Sequence, residues 1–140
     1  MNAKRKVIIL VVLMLLLFSV KIFAQESDVY TQKSERLDKI HTLLQNYGLT
    51  KEQRAELLYE QSYIMLTTFW VISLRTGTET LLKVIDMSPQ NNEYHLDFLC
   101  QVYDNLWKAR DFSDNSEFSE DFRALKEKVR IKVEQYRNNE

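Results

Sequence analysis

Few residues in this chain have the chemistry of a metal site. The two histidines, His41 and His95, lack the Glu-x-x-His spacing that holds metal ions inside helical bundles, and only Asp38 stands three residues before His41. A single Asp-x-x-His pair is more typical of a contact on a helix surface than of a metal site. We therefore predict no metal ligands and no cofactor.

The residues needed for covalent catalysis or phosphate binding are also sparse. Cys100 is the only cysteine, which excludes an internal disulfide. Its place beside Leu99 in a predicted helix favours a small buried hydrophobic residue over a reactive thiol or an intermolecular disulfide. With only two glycines, Gly48 and Gly77, a glycine-rich phosphate loop or a G-x-S-x-G elbow is excluded. The prediction is a non-enzymatic protein with no catalytic residues.

Large aromatic side chains beside an acidic, serine-containing segment remain as candidates for binding. Tyr103 and Trp107 flank the apolar stripe of a predicted helix, and the acidic segment follows at residues 111–119. Tyrosine and tryptophan often anchor protein interfaces, and nearby charge influences partner choice. The alternative is that both aromatics pack inward on the last helix. The predicted interface comprises Tyr103, Trp107, Asp111, Phe112 and Asp114.

A pocket for an apolar ligand is the second hypothesis for binding. Thr67, Thr68 and Ser73 place hydroxyl groups in the most apolar helix and could line such a pocket. Hydroxyl groups in helices more often bond the backbone carbonyl one turn earlier. A bundle that binds an apolar ligand next to its central helix is therefore kept as the alternative to protein contacts.

The helix that must position these groups is predicted at residues 50–75. Thr50 followed by Gln53 is a capping-box pattern, which marks a helix start. Between residues 63 and 74 apolar side chains cover every direction around the helix axis, as in a helix that is covered on all sides. Trp70 lies within this run, so its replacement by alanine is predicted to cost about 3–5 kcal/mol.

Turn and capping residues delimit the other helices. The content of two glycines and one proline favours an all-α fold. Gly48 suits a left-handed residue after a helix, Gly77 suggests an end or kink, and Pro89 suits the first position of a helix capped by Ser88. The other predicted helices run from Ser27 or Asp28 to Tyr47, from Glu79 to Asp86, from Pro89 to Arg110, and from a cap at Ser116 or Ser119 to Tyr136. The expected fold is a small antiparallel helical bundle of four to five helices around a buried second helix.

The first 24 residues have the layout of a secretory signal peptide. Basic residues 4–6 precede an apolar run from Val7 to Val20, and Ala24 stands at a cleavage point. The alternative is an uncleaved membrane anchor formed by residues 7–24. Cleavage would leave residues 25–140 as a single helical domain.

The charge of that domain restricts its partners. The leader holds four of the nineteen Lys and Arg residues and no acid, so residues 25–140 carry fifteen basic and twenty acidic residues, a net charge of −5. Nucleic-acid binding is disfavoured, because phosphate contacts need clustered cations. We predict a protein exported across the inner membrane to the periplasm, with a protein partner in the cell envelope. An accessory or structural subunit of a secretion or conjugation apparatus is the expected role, with membrane contact only through the N-terminal segment if it stays uncleaved.

Overall fold

The computed structural model describes residues 2–89 and 92–139, apart from the side chains at positions 22–24 and 26. Within these residues the chain is all-helical and contains no strand, as the sequence predicted. It divides into two compact units, Met1–Asp38 and Lys39–Glu140. The helices are α1 (Ala3–Leu44), α2 (Lys51–Thr67), α3 (Trp70–Met87), α4 (Glu93–Val102), a π-helical segment (Tyr103–Trp107) and α5 (Glu117–Asn138).

The first unit is formed by the N-terminal part of α1. Its large apolar side chains from Val7 to Val20 are each 48% to 65% exposed. The helix continues without interruption past residue 28, so the predicted start at Ser27 or Asp28 is wrong. The side chain of Ala24, at the predicted cleavage point, lies outside the described residues. Among the residues that the structure describes, no helix combines the length and apolar composition needed to cross a membrane.

The end of α1 belongs to the second unit and differs from the predicted one. The helix stops at Leu44 instead of Tyr47, and Gly48 does not adopt a left-handed conformation. The side chain of Arg54 caps this helix end. Two of its nitrogens donate to the carbonyls of Leu44 at 2.8 Å and Asn46 at 3.1 Å. Because those carbonyls have a partner in α2, a left-handed glycine is not required.

The start of α2 is as predicted, but its end is not. Thr50 Oγ1 accepts from the amide of Gln53 at 3.1 Å, and the amide of Thr50 donates to Gln53 Oε1 at 2.9 Å, which completes the capping box. The predicted continuous helix at 50–75 is interrupted after Thr67, where the amides of the next two residues both donate to the carbonyl of Ile64. A new helix, α3, begins at Trp70. The apolar run is therefore shared between two helices, and the prediction of one enclosed helix is wrong.

Gly77 lies inside α3, so the helix does not end there and the predicted helix end at this residue is wrong. A Cβ atom at this position would lie 2.9 Å from Cγ and Cδ2 of Leu66 and 3.1 Å from Cβ of Met65. Such contacts are shorter than side chains tolerate, so the missing Cβ allows α2 and α3 to approach each other. Contact between these two helices is the most extensive of the helix pairs.

The turn between α3 and α4 also corrects the prediction. Ser88 follows the last residue of α3, with its amide donating to the carbonyl of Val84, and α4 begins only at Glu93. Pro89 therefore stands in a turn and is not the first residue of a helix. The side chain of Asn92 donates to the carbonyl of Ile85 at 3.2 Å, which connects the start of α4 to the end of α3.

The π-helical segment changes which side chains face the core. The amide of Lys108 donates to the carbonyl of Tyr103, five residues earlier, at 2.8 Å. A π-type turn holds one residue more than an α-helical turn, so the position one turn after the buried Val102 falls on Trp107. Trp107 is 0% exposed, whereas Leu106, which an α-helical period assigns to the core, is only partly buried.

The core lies among the end of α2, α3, α4, the π-helical segment and α5. The last helix is capped by Ser116, as predicted, and buries Phe122, Leu125, Val129 and Val133. Cys100 is buried in the same core, which agrees with its interpretation as a small hydrophobic residue. Other members of this core are Leu66, Leu74, Leu81, Leu82, Ile85, Phe98, Leu99, Val102 and Trp107.

Candidate functional site

An exposed apolar surface of the second unit lies where α3 begins. Val71 is 76% exposed, Ile72 is 84% exposed and Phe118, in the first turn of α5, is 64% exposed. Together with the partly buried Trp70 and Phe112, these residues line a groove of about 410 Å³. We refer to these five residues as the apolar corner.

The interruption between α2 and α3 accounts for one half of the apolar corner. Leu74 and Leu81 direct α3 toward the core. Ile72 lies on nearly the opposite side of the helix, because two residues span about 200° of an α-helix. A new helix that starts at Trp70 therefore presents Ile72 to solvent, although it belongs to the apolar run from which an enclosed helix was predicted.

The loop at residues 108–116, between the π-helical segment and α5, contributes Phe112 to the apolar corner and is hydrogen-bonded to α5. Arg123 Nη1 donates to the carbonyls of Phe112 at 2.5 Å and Asp114 at 2.8 Å. Lys126 Nζ donates to the carbonyl of Arg110 at 2.6 Å. Two cations of α5 therefore attach this segment to the helix through its backbone, and Phe112 lines the groove from this segment.

Asp114, a residue of the predicted interface, is engaged within the chain. Its Oδ1 accepts from the hydroxyl of Ser119, and from the hydroxyl and the amide of Ser116 at 2.7 and 2.8 Å. These hydrogen bonds, with that from the Ser119 hydroxyl contributing most, lower the pKa of Asp114 to about 2. Asp114 therefore acts within the chain, as an acceptor for the serines at the start of α5.

Trp107, also predicted to belong to the interface, is a core residue. Its side chain is fully buried, and its Nε1 donates to Thr78 Oγ1 in α3 at 3.1 Å. Its ring centroid lies 5.9 Å from those of Phe112 and Phe122. The alternative weighed from the sequence, that this side chain packs inward on the last helix, is what the structure has, so Trp107 leaves the candidate interface.

The other members of the predicted interface are dispersed. Tyr103 is partly buried against the core, and Asp111 is exposed. Phe112 is the one residue of the predicted set that lines the groove. Sequence reasoning missed Val71 and Ile72 as surface residues, because their exposure depends on a helix end that no glycine or proline marks.

Two guanidinium groups also line the groove. Arg75 is paired with Glu79 at 3.1 Å and with Asp121 at 3.2 Å. The Arg110 guanidinium lies over the ring of Trp70, with Cζ 5.1 Å from the ring centroid, and its Nε donates to the carbonyl of Leu106 at 2.5 Å. Cationic and aromatic groups are thus combined on one wall of the groove.

A second cavity, of about 530 Å³, lies between the start of α2 and the start of α4. His95 in its wall is 4% exposed, and its ring centroid lies 4.5 Å from that of Tyr59 and 4.1 Å from that of Tyr94. Among the described residues, neither ring nitrogen has a hydrogen-bond partner. Burial lowers the pKa of His95 and raises the pKa of both tyrosines, so all three side chains are kept neutral near pH 7.

Two further candidates from the sequence, Thr67 and His41, each contact a residue four positions away in the chain. The hydroxyl of Thr67 donates to the carbonyl of Tyr63 at 2.6 Å, which is the backbone contact expected of a helical threonine. His41 is exposed and lies 3.2 Å from the side-chain amide of Gln45. In the part of the chain that the structure describes, no three His, Cys, Asp or Glu side chains are grouped as a metal site requires.

Comparison with known proteins adds no assignment to these surfaces. No protein-family model matches the chain, and no curated protein and no solved structure matches it. Function is therefore inferred from the chemistry of its own residues.

Proposed function

We propose that this chain is a non-enzymatic, exported helical protein that acts through protein–protein contacts. Its setting would be a cell-envelope assembly, such as a secretion or conjugation apparatus, in which it serves as an accessory or structural subunit. The apolar corner is the observation that carries this proposal. Val71, Ile72 and Phe118 expose most of their apolar area side by side, and a contiguous apolar surface of this kind is typical of an interaction site.

The free energy of burying these apolar side chains supports a binding partner at this surface. Fully burying a valine, isoleucine or phenylalanine side chain contributes about 1.5–3 kcal/mol. Arg123 holds the backbone at Phe112, so this residue needs little ordering on association, which lowers the entropic cost of binding. The apolar corner thus has the apolar composition of a protein contact.

Targeting completes the proposal. Residues 1–24 would act as a signal peptide that delivers residues 25–140 to the periplasm as one helical bundle. The exposed apolar side chains from Val7 to Val20 support this, because cleavage would remove them from the mature protein. If the leader were retained, residues 7–24 would instead anchor the protein in the inner membrane.

An apolar ligand is the second candidate, and the groove itself favours it. Its volume of about 410 Å³ is in the range of small-molecule sites, and Trp70, Phe112 and Phe122 give it an aromatic lining. The groove borders residues 70–76, which belong to the stretch in which the sequence placed a ligand.

Site-specific photo-crosslinking tests the proposal. The photoreactive amino acid p-benzoylphenylalanine is placed at Ile72, and at Gln101, an exposed position of α4, as the matched control. Irradiation of intact cells should give a discrete protein adduct from position 72 and none from position 101. An unmodified protein of unchanged mass from both positions would refute a protein contact at the apolar corner, and a small mass increase at position 72 would favour the ligand.

A further inference from the structure

We propose that the apolar corner binds a partner segment in which apolar side chains are followed directly by a carboxylate, and that Arg110 recognises this carboxylate. The inference rests on the proposed function, because it assigns a chemical class to the partner at the same surface. A protein segment of the type apolar-apolar-Glu or apolar-apolar-Asp is the expected occupant.

The apolar part of the segment is matched by the walls of the groove. Ile72 and Val71 supply an aliphatic edge from α3, and Phe118 supplies an aromatic edge from α5. The floor includes Phe122, whose ring centroid lies 4.5 Å from that of Phe118. Aromatic pockets of this kind accommodate the buried anchor residues that carry most of the binding energy in protein interfaces.

The charged part of the segment is matched by Arg110. A guanidinium has five N–H donors in a planar fork, and the contacts of Arg110 within the described residues use Nε only. The contact with the ring of Trp70 places the guanidinium at the groove wall. The terminal N–H groups are therefore suited to a carboxylate, which arginine binds through two parallel hydrogen bonds.

The other charged residue that lines the groove in the described part of the chain is already paired. Arg75 is neutralised by Glu79 and Asp121. Asp114 is engaged by the hydroxyl groups that cap α5, as described above. Among the described charged groups that line the groove, Arg110 is therefore the one that determines the preference, and it favours an acidic segment over a basic one.

Three synthetic peptides test the inference against the full-length protein. They share the sequence acetyl-Ala-Leu-Phe-Leu-X-Ala-amide, with Glu, Gln or Lys at X. Binding is followed by methyl NMR of ¹³C-labelled isoleucine, in which the signal of Ile72 reports on the groove. The Glu peptide should bind about fivefold more tightly than the Gln peptide, as expected for one partly exposed ion pair, and the Lys peptide should bind least.

Variants separate the charge from the groove. Arg110→Gln should equalise the Glu and Gln peptides while the Gln peptide keeps its affinity, and Arg110→Lys should retain part of the preference. Ile72→Ser should weaken all three peptides. Because Arg110 also donates to the carbonyl of Leu106, an unchanged set of core methyl signals is required as evidence that each variant is folded.

Two results would overturn the inference, and they have different consequences. Equal binding of the Glu and Gln peptides to the unaltered protein, or tighter binding of the Lys peptide, would refute recognition by Arg110 but leave the apolar corner as a contact surface. Failure of all three peptides to shift the Ile72 signal at millimolar concentration would refute the inference as well. In that case the crosslinking experiment at position 72 decides separately whether a protein contact exists at this surface.

Discussion

Replacing Trp107 with alanine should destabilise the second unit severely. Trp107 is the largest of the fully buried side chains, and truncation of such a residue costs about 3–5 kcal/mol. The variant also removes the donor to the buried hydroxyl of Thr78, which places the expected loss at the upper end of that range. Since a domain of this size is stable by only about 5–15 kcal/mol, a large share of the unfolding free energy would be lost.

The hydrogen bond can be measured separately from the cavity. Thr78→Val keeps the shape of the side chain but leaves the indole N–H of Trp107 buried without an acceptor, which should cost about 1–3 kcal/mol. Trp107→Phe removes the donor and part of the volume. The double variant should be destabilised by less than the sum of the two single variants, because the unpaired indole N–H is then absent.

Urea denaturation followed by circular dichroism gives these free energies, with Trp70→Ala as the matched control. Trp70 is the only other tryptophan, and it is partly exposed beneath Arg110, so its truncation should cost far less than the loss predicted from the sequence. If Trp107→Ala is no more destabilising than Trp70→Ala, Trp107 is not a core residue. The π-helical register that turns it inward would then be wrong as well.

Three further expectations follow from the packing and the leader. Gly77→Ala should lower the unfolding free energy by about 1 kcal/mol, because the clash with Leu66 outweighs the gain in helix propensity. A variant that is more stable than the unaltered protein would contradict the close approach of α2 and α3. Burial lowers the pKa of His95, so the unfolded chain takes up a proton more readily than the folded one, and stability should fall as the pH drops below about 6.5. His95→Phe should flatten this dependence in denaturation at several pH values, whereas His41→Gln, at an exposed position, should not. N-terminal sequencing of the protein from the cell envelope should start directly after Ala24, and an intact N-terminus in a membrane-bound protein would identify an anchor instead.

Local signals in the sequence predicted the helix starts that depend on side-chain capping. Thr50 with Gln53, and Ser116 at the start of α5, make the predicted hydrogen bonds. These contacts involve residues only a few positions apart, so the sequence contains both partners. The all-helical class follows for a similar reason, since it reflects composition and periodicity along the whole chain.

Features that depend on distant residues were not predictable in this way. Gly77 was interpreted as a break, but its role is set by Leu66, a residue in another helix. Gly48 was expected to end α1, but Arg54 in α2 performs that function from outside the helix. In both cases the residue that determines the local geometry lies in another helix, where a local glycine signal cannot reveal it.

The candidate interface failed at Trp107 because the helical period changes within one turn. An α-helical count places Leu106 in the core and Trp107 at its edge, and the π-helical segment reverses the two assignments. No proline or glycine marks this change. Its stabilisation comes from tertiary contacts, including the hydrogen bond from Trp107 to Thr78, and such contacts override the local period.

The same reasoning explains why the surface at Val71 and Ile72 is a better candidate than the predicted one. Exposed apolar residues are common on folded proteins when they occur singly, so their exposure alone is weak evidence. Here, however, two adjacent residues of α3 and Phe118 of α5 are exposed around one groove, although the adjoining core is filled by other side chains. Polar residues at these three positions would cost the isolated fold little, because they contribute little buried area. A surface that contributes little to the fold and would gain several kcal/mol on burial supports the proposal of a protein partner.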